Sequence, residues 1–224
     1  MKTSDTTRGA KFVATYYILK YTDKHPGCPT SVAAELNEIV TEWPIFVPDP
    51  WAITVTKEYV SKITDAEINS INFDMDDGDQ KLVSRQFINV CRSLDVPHRA
   101  IPVTVLLATG LKAAKDYFFF LPGANLSLLD RSRSEFKDEV DLESGCTQYN
   151  GIFPDVPVYA EINRFEAKEN ATPHLFFCTE IFELVCTEAF RASGQHLLGV
   201  ECLPLDESYR YAPWDSPLEL DPQE

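Results

Sequence analysis

The sequence predicts an α+β protein with a mixed, mostly antiparallel sheet and a few packed helices, arranged as one unit or as two subdomains. Short runs of aromatic and β-branched residues are typical of strands. Three longer stretches repeat apolar residues at helical spacing. The last third of the 224 residues has the order strand, acidic loop, strand, helix, strand. A chain of this length can bury a substantial core.

The first half predicts three strands and two helices, separated by Pro-rich breaks. The predicted strands are Phe12–Tyr21, Ala52–Thr56 and the buried apolar run Ile101–Leu107. The predicted helices run from Val32 to Trp43, where Pro44 ends the helix, and from about Gln80 to Leu94. We expect Asp79 to cap the second helix, because Asp is a favoured N-cap residue.

The second half predicts an aromatic strand, a charged and irregular middle, and a closing strand–helix–strand unit. Three consecutive Phe residues suit a strand that is buried on both faces. The predicted strands are Tyr117–Leu121, Asn125–Leu129, Val158–Phe165, Leu175–Cys178 and Leu197–Leu203, with a helix from about Glu180 to Ala192. The expected organisation is an α/β subdomain over residues 1–112, an α+β module over 113–205, and an acidic Pro-rich tail over 206–224 tethered by Tyr209, Tyr211 and Trp214.

The net charge of −15 is concentrated in the second half of the chain. Residues 1–112 carry 14 acids and 12 bases, a net of −2, whereas residues 113–224 carry 21 acids and 8 bases, a net of −13. Such a chain repels a phosphate backbone, so we expect no nucleic-acid partner. The acidity has two interpretations: a surface that maintains solubility, or a surface that steers the chain toward a cationic protein.

The sequence predicts a cytoplasmic protein with no membrane partner. Residues 1–10 are polar and lack the apolar core of a signal peptide, and no apolar run approaches the length of a membrane span. The six cysteines form none of the close pairs that are typical of zinc sites or redox motifs. We therefore expect all six cysteines to be reduced thiols, as is usual in a cytoplasm.

No motif in the sequence predicts a cofactor, a metal or a catalytic centre. The acidic turn Asp74–Asp79 fails the EF-hand pattern, because Gly78 falls at its fifth position and Arg85 at its twelfth. It is interpreted as a solvated loop. The four histidines are isolated, and the GxSxG nucleophile elbow is absent. Cys178 opens the predicted helix, where a thiol pKa can be lowered, but its apolar neighbours favour a buried structural thiol.

The carboxylates that follow the segment Leu128–Phe136 crowd one predicted loop. Paired carboxylates can hydrolyse glycosides. Here, however, nothing in the sequence would remove any of them from water. An exposed charged surface, with protein binding as its function, is the favoured interpretation.

Four segments follow one another in the second half: YFFFLPG (Tyr117–Gly123), Ser127–Phe136, EINRF (Glu161–Phe165) and the module HLFFCTEIFELVCTEAFRASGQHLLGVECLPL (His174–Leu205). In this order they resemble the immunity proteins of bacterial polymorphic-toxin systems. Gly199 matches the family's glycine before the last strand. The resemblance covers residues 115–205 and implies an immunity-type module that binds a secreted toxin tightly and protects the producing cell.

The resemblance and the charge together predict an inhibitor that is not an enzyme and that binds a cognate protein toxin with a basic surface. The expected partner-binding residues are Glu135, Asp138, Glu139, Asp141 and Glu143, with Asp74, Asp76, Asp77 and Asp79 as a second choice. Two alternatives stay open. One is an enzyme of undetected type that uses Cys178 or a histidine, which requires a pocket with converging polar groups. The other is a self-assembling scaffold.

Overall fold

The computed structural model describes residues 16–37, 47–76, 78, 80–169 and 171–213. Within them the chain forms twelve strands and two short helices. The elements are β1 (Tyr16–Tyr21), β2 (Ala34–Leu36), β3 (Tyr59–Ile63), β4 (Leu82–Ser84), α1 (Arg85–Ser93), β5 (His98–Leu106), β6 (Tyr117–Pro122), β7 (Asn125–Leu126), β8 (Glu135–Asp138), β9 (Tyr159–Arg164), β10 (Leu175–Cys178), β11 (Glu183–Thr187), α2 (Glu188–Ser193) and β12 (Val200–Leu205).

The strands form two five-stranded sheets and one two-stranded sheet. The first sheet has the order β12-β1-β11-β10-β7, and only its β10–β7 pair is parallel. The second has the order β2-β3-β5-β6-β4, and only its β3–β5 pair is parallel. The antiparallel pair β8–β9 stands as a sheet of its own. The expected mixed, mostly antiparallel sheet structure is confirmed, with more strand and less helix than the sequence predicts.

The two larger sheets do not divide the chain at residue 112. β1 comes from the first half but lies between β11 and β12, and β6 comes from the second half but pairs with β5 and β4. Each sheet therefore needs residues from both sides of the expected boundary. Of the expected tail, Tyr209 and Tyr211 pack on a core cluster and Tyr211 bridges to Ile162, as predicted. Trp214 lies outside the described residues.

The largest core cluster joins the two sheets through the helices. Phe87 of α1 contacts Phe120 of β6 and Phe190 of α2, with ring centroids 5.3 and 5.6 Å apart. Leu19 of β1 and Leu184 of β11 are buried in the same cluster. Burial of such side chains is the main stabilising term of a fold, at about 1.5–3 kcal/mol each.

Several predicted elements are wrong or displaced. Ala34–Leu36 is a strand rather than part of a helix, and residues 38–43 of that predicted helix lie outside the described residues. Residues 52–56 form no strand, and β3 begins at Tyr59 instead. The second helix begins at Arg85, and Ser84 caps it in place of Asp79 by accepting hydrogen bonds from the amides of Gln86 and Phe87.

The predicted helix over Glu180–Ala192 is a strand for its first part. Glu183–Thr187 forms β11, which pairs with β1 and β10, and its residues Leu184, Val185 and Cys186 are all buried. The chain reaches β11 from β10 through a turn in which Phe182 has φ of 58°. A strand that is buried on both faces shows the same continuous apolar run as a buried helix. Only the last turns, Glu188–Ser193, are helical.

Gly199 precedes β12 at a position that no larger residue fits. Its φ is +73°, and a Cβ atom there would lie 2.8 Å from Cβ of Phe73. We expect Gly199→Ala to lower the free energy of unfolding by about 3 kcal/mol, since it combines left-handed strain with an overpacked contact. Gly110→Ala is the matched control, because Gly110 has φ of +84° but no atom near the added Cβ. It should cost about 1 kcal/mol; equal losses in urea titrations of the two variants would contradict the packing argument.

Candidate protein-binding arm

The strands β8 and β9 and the chain between them, residues 135–164, are called the arm here, and Tyr159 and Ile162 of β9 pack it on a core cluster. Its outer part, residues 139–158, is called the tip segment here, and Val156 is its only buried residue. The tip segment contains four carboxylates, Glu139, Asp141, Glu143 and Asp155, and no lysine, arginine or histidine. It is therefore a purely anionic surface.

Backbone hydrogen bonds hold the tip segment in a defined shape. Two of these bonds cross the segment: Gln148 N donates to Glu139 O at 2.9 Å, and Asn150 N donates to Val156 O at 2.9 Å. Phe153 then stacks on Phe177 of β10, with ring centroids 6.0 Å apart, which fixes the segment to the first sheet. A surface that is ordered before binding loses less conformational entropy when a partner docks.

Apolar side chains are exposed between the carboxylates of the tip segment. Leu142 is 100% exposed and Tyr149 is 59% exposed, and Val140 and Ile152 are exposed as well. Val140 bridges to Thr147, and Tyr149 bridges to Pro157. Because opposed residues and alternate residues of a strand share a face, Val140 and Tyr149 lie on one face of the segment. Exposed aromatic and aliphatic side chains with a polar rim are typical of protein interfaces.

The five first-choice acids of the arm lie close together along the chain but have different roles. The side chains of Glu135, Glu139 and Glu143 form no hydrogen bond or ion pair with any residue that the structure describes. Asp141 Oδ1 accepts hydrogen bonds from the amide and the hydroxyl of Ser144, each at 2.7 Å. These bonds, the amide first, lower the pKa of Asp141 and shape the turn that carries Leu142.

Asp138 is paired with Arg131, which precedes the arm in the chain. The guanidinium donates to Oδ1 and Oδ2 of Asp138 at 3.0 and 2.7 Å, and to the Tyr159 hydroxyl at 2.9 Å. Its Cζ also lies 4.3 Å from the ring centroid of Phe136. The hydrogen bonds to Asp138 raise the pKa of Arg131. Asp138 therefore holds the base of the arm in place, and its charge is less available to a partner than that of the three unpaired glutamates.

Of the second-choice acids, the two that the structure describes, Asp74 and Asp76, are not exposed, which corrects the expected solvated loop at these two positions. Asp74 is fully buried. Its carboxylate accepts hydrogen bonds from Ser84 Oγ, from Lys115 Nζ at 2.7 Å and from Leu198 N at 2.7 Å. Asp76 is half-buried and accepts from Leu82 N at 2.7 Å. Asp77 and Asp79 lie outside the described residues.

Cys178, the nucleophile of the enzyme alternative, is a buried thiol, as its apolar neighbours predict. Burial raises the pKa of Cys178 well above its ordinary value, and its thiol lies 3.3 Å from Oε2 of Glu180. Glu180 is buried too and accepts from Ser127 Oγ at 2.7 Å and Leu129 N at 2.9 Å. This carboxylate joins the β10–β11 turn to the chain after β7, which is a structural role.

The described part of the chain holds no group of three His, Cys, Asp or Glu side chains that could bind a metal ion. None of the helices among these residues is long and apolar enough to cross a membrane. No protein-family model matches the chain, and no curated protein matches it significantly.

Proposed function

We propose that this chain is a cytoplasmic immunity protein that binds a cognate bacterial toxin and neutralises it by direct contact through the arm. The observation that carries the proposal is the tip segment, where four carboxylates and no cation lie in the same segment as exposed apolar side chains. The order of sequence segments in the second half, which resembles toxin-immunity proteins, supports the same function.

The chemistry of the tip segment specifies the kind of partner that fits it. A cationic protein surface is complementary to it, and complementary charge raises the association rate. The exposed Leu142 and Tyr149 supply the apolar contacts that charges alone do not give, because desolvated aromatic and aliphatic anchors contribute most of the affinity at protein interfaces. The toxin's contact surface should therefore be an apolar patch surrounded by Lys and Arg side chains.

The proposal requires that a toxin-domain protein is encoded beside this chain's gene, and the test uses that protein. Co-expression of the chain should restore growth to cells that produce the toxin, and titration calorimetry should give a dissociation constant that rises with salt. We expect the triple variant Glu135→Lys, Glu139→Lys, Glu143→Lys to bind about 100-fold more weakly at 50 mM salt, since close charge pairs contribute a few kcal/mol. The fold should persist, because these side chains have no partner among the described residues.

The matched control reverses the same number of charges elsewhere. Glu35, Glu67 and Glu207 are exposed acids outside the arm, and their replacement by lysine changes the net charge equally. We expect this control to retain tight binding. Failure of the wild-type chain to bind or protect would remove the proposed function, and equal weakening by both triple variants would remove the arm as its site.

A further inference from the structure

Trp51 is held at the surface with more than half of its side chain in water. It is 57% exposed, whereas tryptophan side chains are highly buried on average. Its ring edge lies against the turn after β6: a Cβ atom on Gly123 would collide with Cη2 of Trp51 and with the carbonyl group of Pro97. The segment that carries this ring, residues 47–53, is called the Trp51 loop here.

Hydrogen bonds fix the backbone of the Trp51 loop. Nη1 of Arg99, in β5, donates to Pro50 O at 2.6 Å and to Ile53 O at 2.5 Å. Inside the loop, Trp51 N donates to Asp49 Oδ1 at 2.9 Å. An ordered loop loses less conformational entropy when a partner docks, and tryptophan is enriched among the residues that dominate protein interfaces. Trp51 therefore has the exposure and the fixed position of an interface anchor.

The Trp51 loop meets the tip segment of the arm on one face of the first sheet. Asn125 of β7 and Phe177 of β10 are direct partners in a strand pair, so their side chains point to the same face. Nδ2 of Asn125 donates to Pro48 O of the Trp51 loop at 3.4 Å. Phe177 stacks on Phe153 of the tip segment, and Ile152 beside it is 38% exposed. The two segments therefore lie over neighbouring residues of the sheet, and each carries an exposed apolar side chain.

The Trp51 loop has the same sign of charge as the tip segment. It contains one carboxylate, that of exposed Asp49, and no lysine, arginine or histidine. Arg99, which lies against the loop, is half-buried and donates to two of its carbonyl groups. With the four carboxylates of the tip segment, the two segments contain five carboxylates and no cation. A cationic protein that fits the tip segment is therefore complementary to the Trp51 loop as well.

We propose that the toxin-binding surface extends from the tip segment onto the Trp51 loop, where Trp51 is an anchor that enters an apolar pocket between basic side chains of the toxin. This inference rests on the proposed function and adds a second part to the same interface. The loop and the tip segment come from distant parts of the chain but are both ordered on the first sheet. Contact with both of them fixes the orientation of the toxin.

The test measures binding of the same toxin-domain protein by the full chain with Trp51→Ala. We expect binding about 30-fold weaker than that of the wild type, which is the effect of truncating an aromatic anchor. The salt dependence should stay unchanged, because no charge is removed. Loss of the ring also uncovers Gly123, so a urea titration of the variant accompanies the binding measurement.

A second measurement does not depend on the stability of that variant. The chain is labelled with 5-fluorotryptophan, and the ¹⁹F resonance that disappears in Trp51→Phe belongs to Trp51. This resonance should shift when unlabelled toxin is added, and it should lose its solvent isotope shift, because the ring leaves water.

Leu203→Ala is the matched control. Leu203 is 41% exposed and lies on β12, at the opposite edge of the first sheet from β7. This variant should bind the toxin like the wild type. If the wild-type chain binds, then wild-type affinity of Trp51→Ala, an unmoved Trp51 resonance or an equal loss in Leu203→Ala would overturn the extended interface and leave the arm as the site. If the wild-type chain does not bind, the proposed function fails, and this inference fails with it.

Discussion

Asp74→Ala is expected to lower the free energy of unfolding by about 3–5 kcal/mol, which is a large part of the stability of an ordinary domain. The substitution leaves the ammonium of Lys115, whose side chain is only 17% exposed, without its carboxylate partner. It also removes the acceptor for Ser84 Oγ and for the amide of Leu198. A buried charge that loses its partner retains the full cost of its desolvation.

The loss of the Asp74 carboxylate should affect both large sheets, because Asp74 contacts residues in or beside each. Its backbone amide donates to Leu198 O at 2.7 Å, just before β12 of the first sheet, whereas Ser84 caps α1 beside the second sheet. Asp74 therefore connects the two sheets through one residue. We expect denaturant titration of Asp74→Ala to show a lower midpoint.

The control for this prediction is Asp116→Ala. It removes a carboxylate that also bonds a lysine, but both side chains of the Lys112–Asp116 pair are more than half exposed. Exposed pairs contribute about 0–1 kcal/mol, so this variant should unfold almost like the wild type. If Asp74→Ala lowered the free energy of unfolding as little as Asp116→Ala does, the hydrogen bonds of Asp74 would not be important for joining the two sheets.

The sequence analysis predicted a solvent-exposed Asp74, and there is a physical reason why this prediction was wrong. A run of four aspartates within six residues is usually solvated, because burying a charge is costly without a partner. The partner here, Lys115, lies 41 residues away in the sequence. Sequence pattern reports local periodicity but carries no signal for such a distant ion pair.

The same limit explains which strands could be predicted. β6 and β10 contain runs of consecutive aromatic residues, which favour strands regardless of their neighbours, and both were placed correctly. β11 could not be separated from a helix, because its side chains are buried on both faces of the sheet: Leu184 and Cys186 on one face and Val185 on the other. Only the tertiary arrangement, with β1 from the distant N-terminal part as one neighbour, decides between the two.

The acids of the proposed binding site could be predicted from the sequence, but its apolar residues were not. The sequence located the excess of acids, and three of the first-choice residues, Glu135, Glu139 and Glu143, have no internal partner in the described structure. The exposed apolar residues of the tip segment were missed. The sequence did contain a signal for them. In EVDLE (Glu139–Glu143) acids and apolar residues alternate, and no strongly apolar run lies beside them. This pattern indicates that Val140 and Leu142 are not core residues.

Substitution of these apolar residues should have a large effect on toxin binding and little effect on stability. We expect the double variant Leu142→Ser, Tyr149→Ala to bind the toxin about 1,000-fold more weakly, since truncation of each central anchor costs about 2 kcal/mol. The salt dependence of binding should stay unchanged, because no charge is removed. This separates the anchors from the glutamates, whose reversal should mainly slow association and reduce the salt dependence.

The same double variant should have almost the same free energy of unfolding as the wild type. Leu142 is completely exposed and Tyr149 mostly so, and neither belongs to a core cluster, so little buried area is lost on truncation. Leu111→Ser is the matched control, because Leu111 is 67% exposed and lies in the β5–β6 connection, away from the arm. Stopped-flow association and dissociation measurements should show a faster dissociation rate for the double variant and wild-type rates for Leu111→Ser. Unchanged dissociation in the double variant would mean that the toxin contacts the carboxylates without engaging the apolar residues between them.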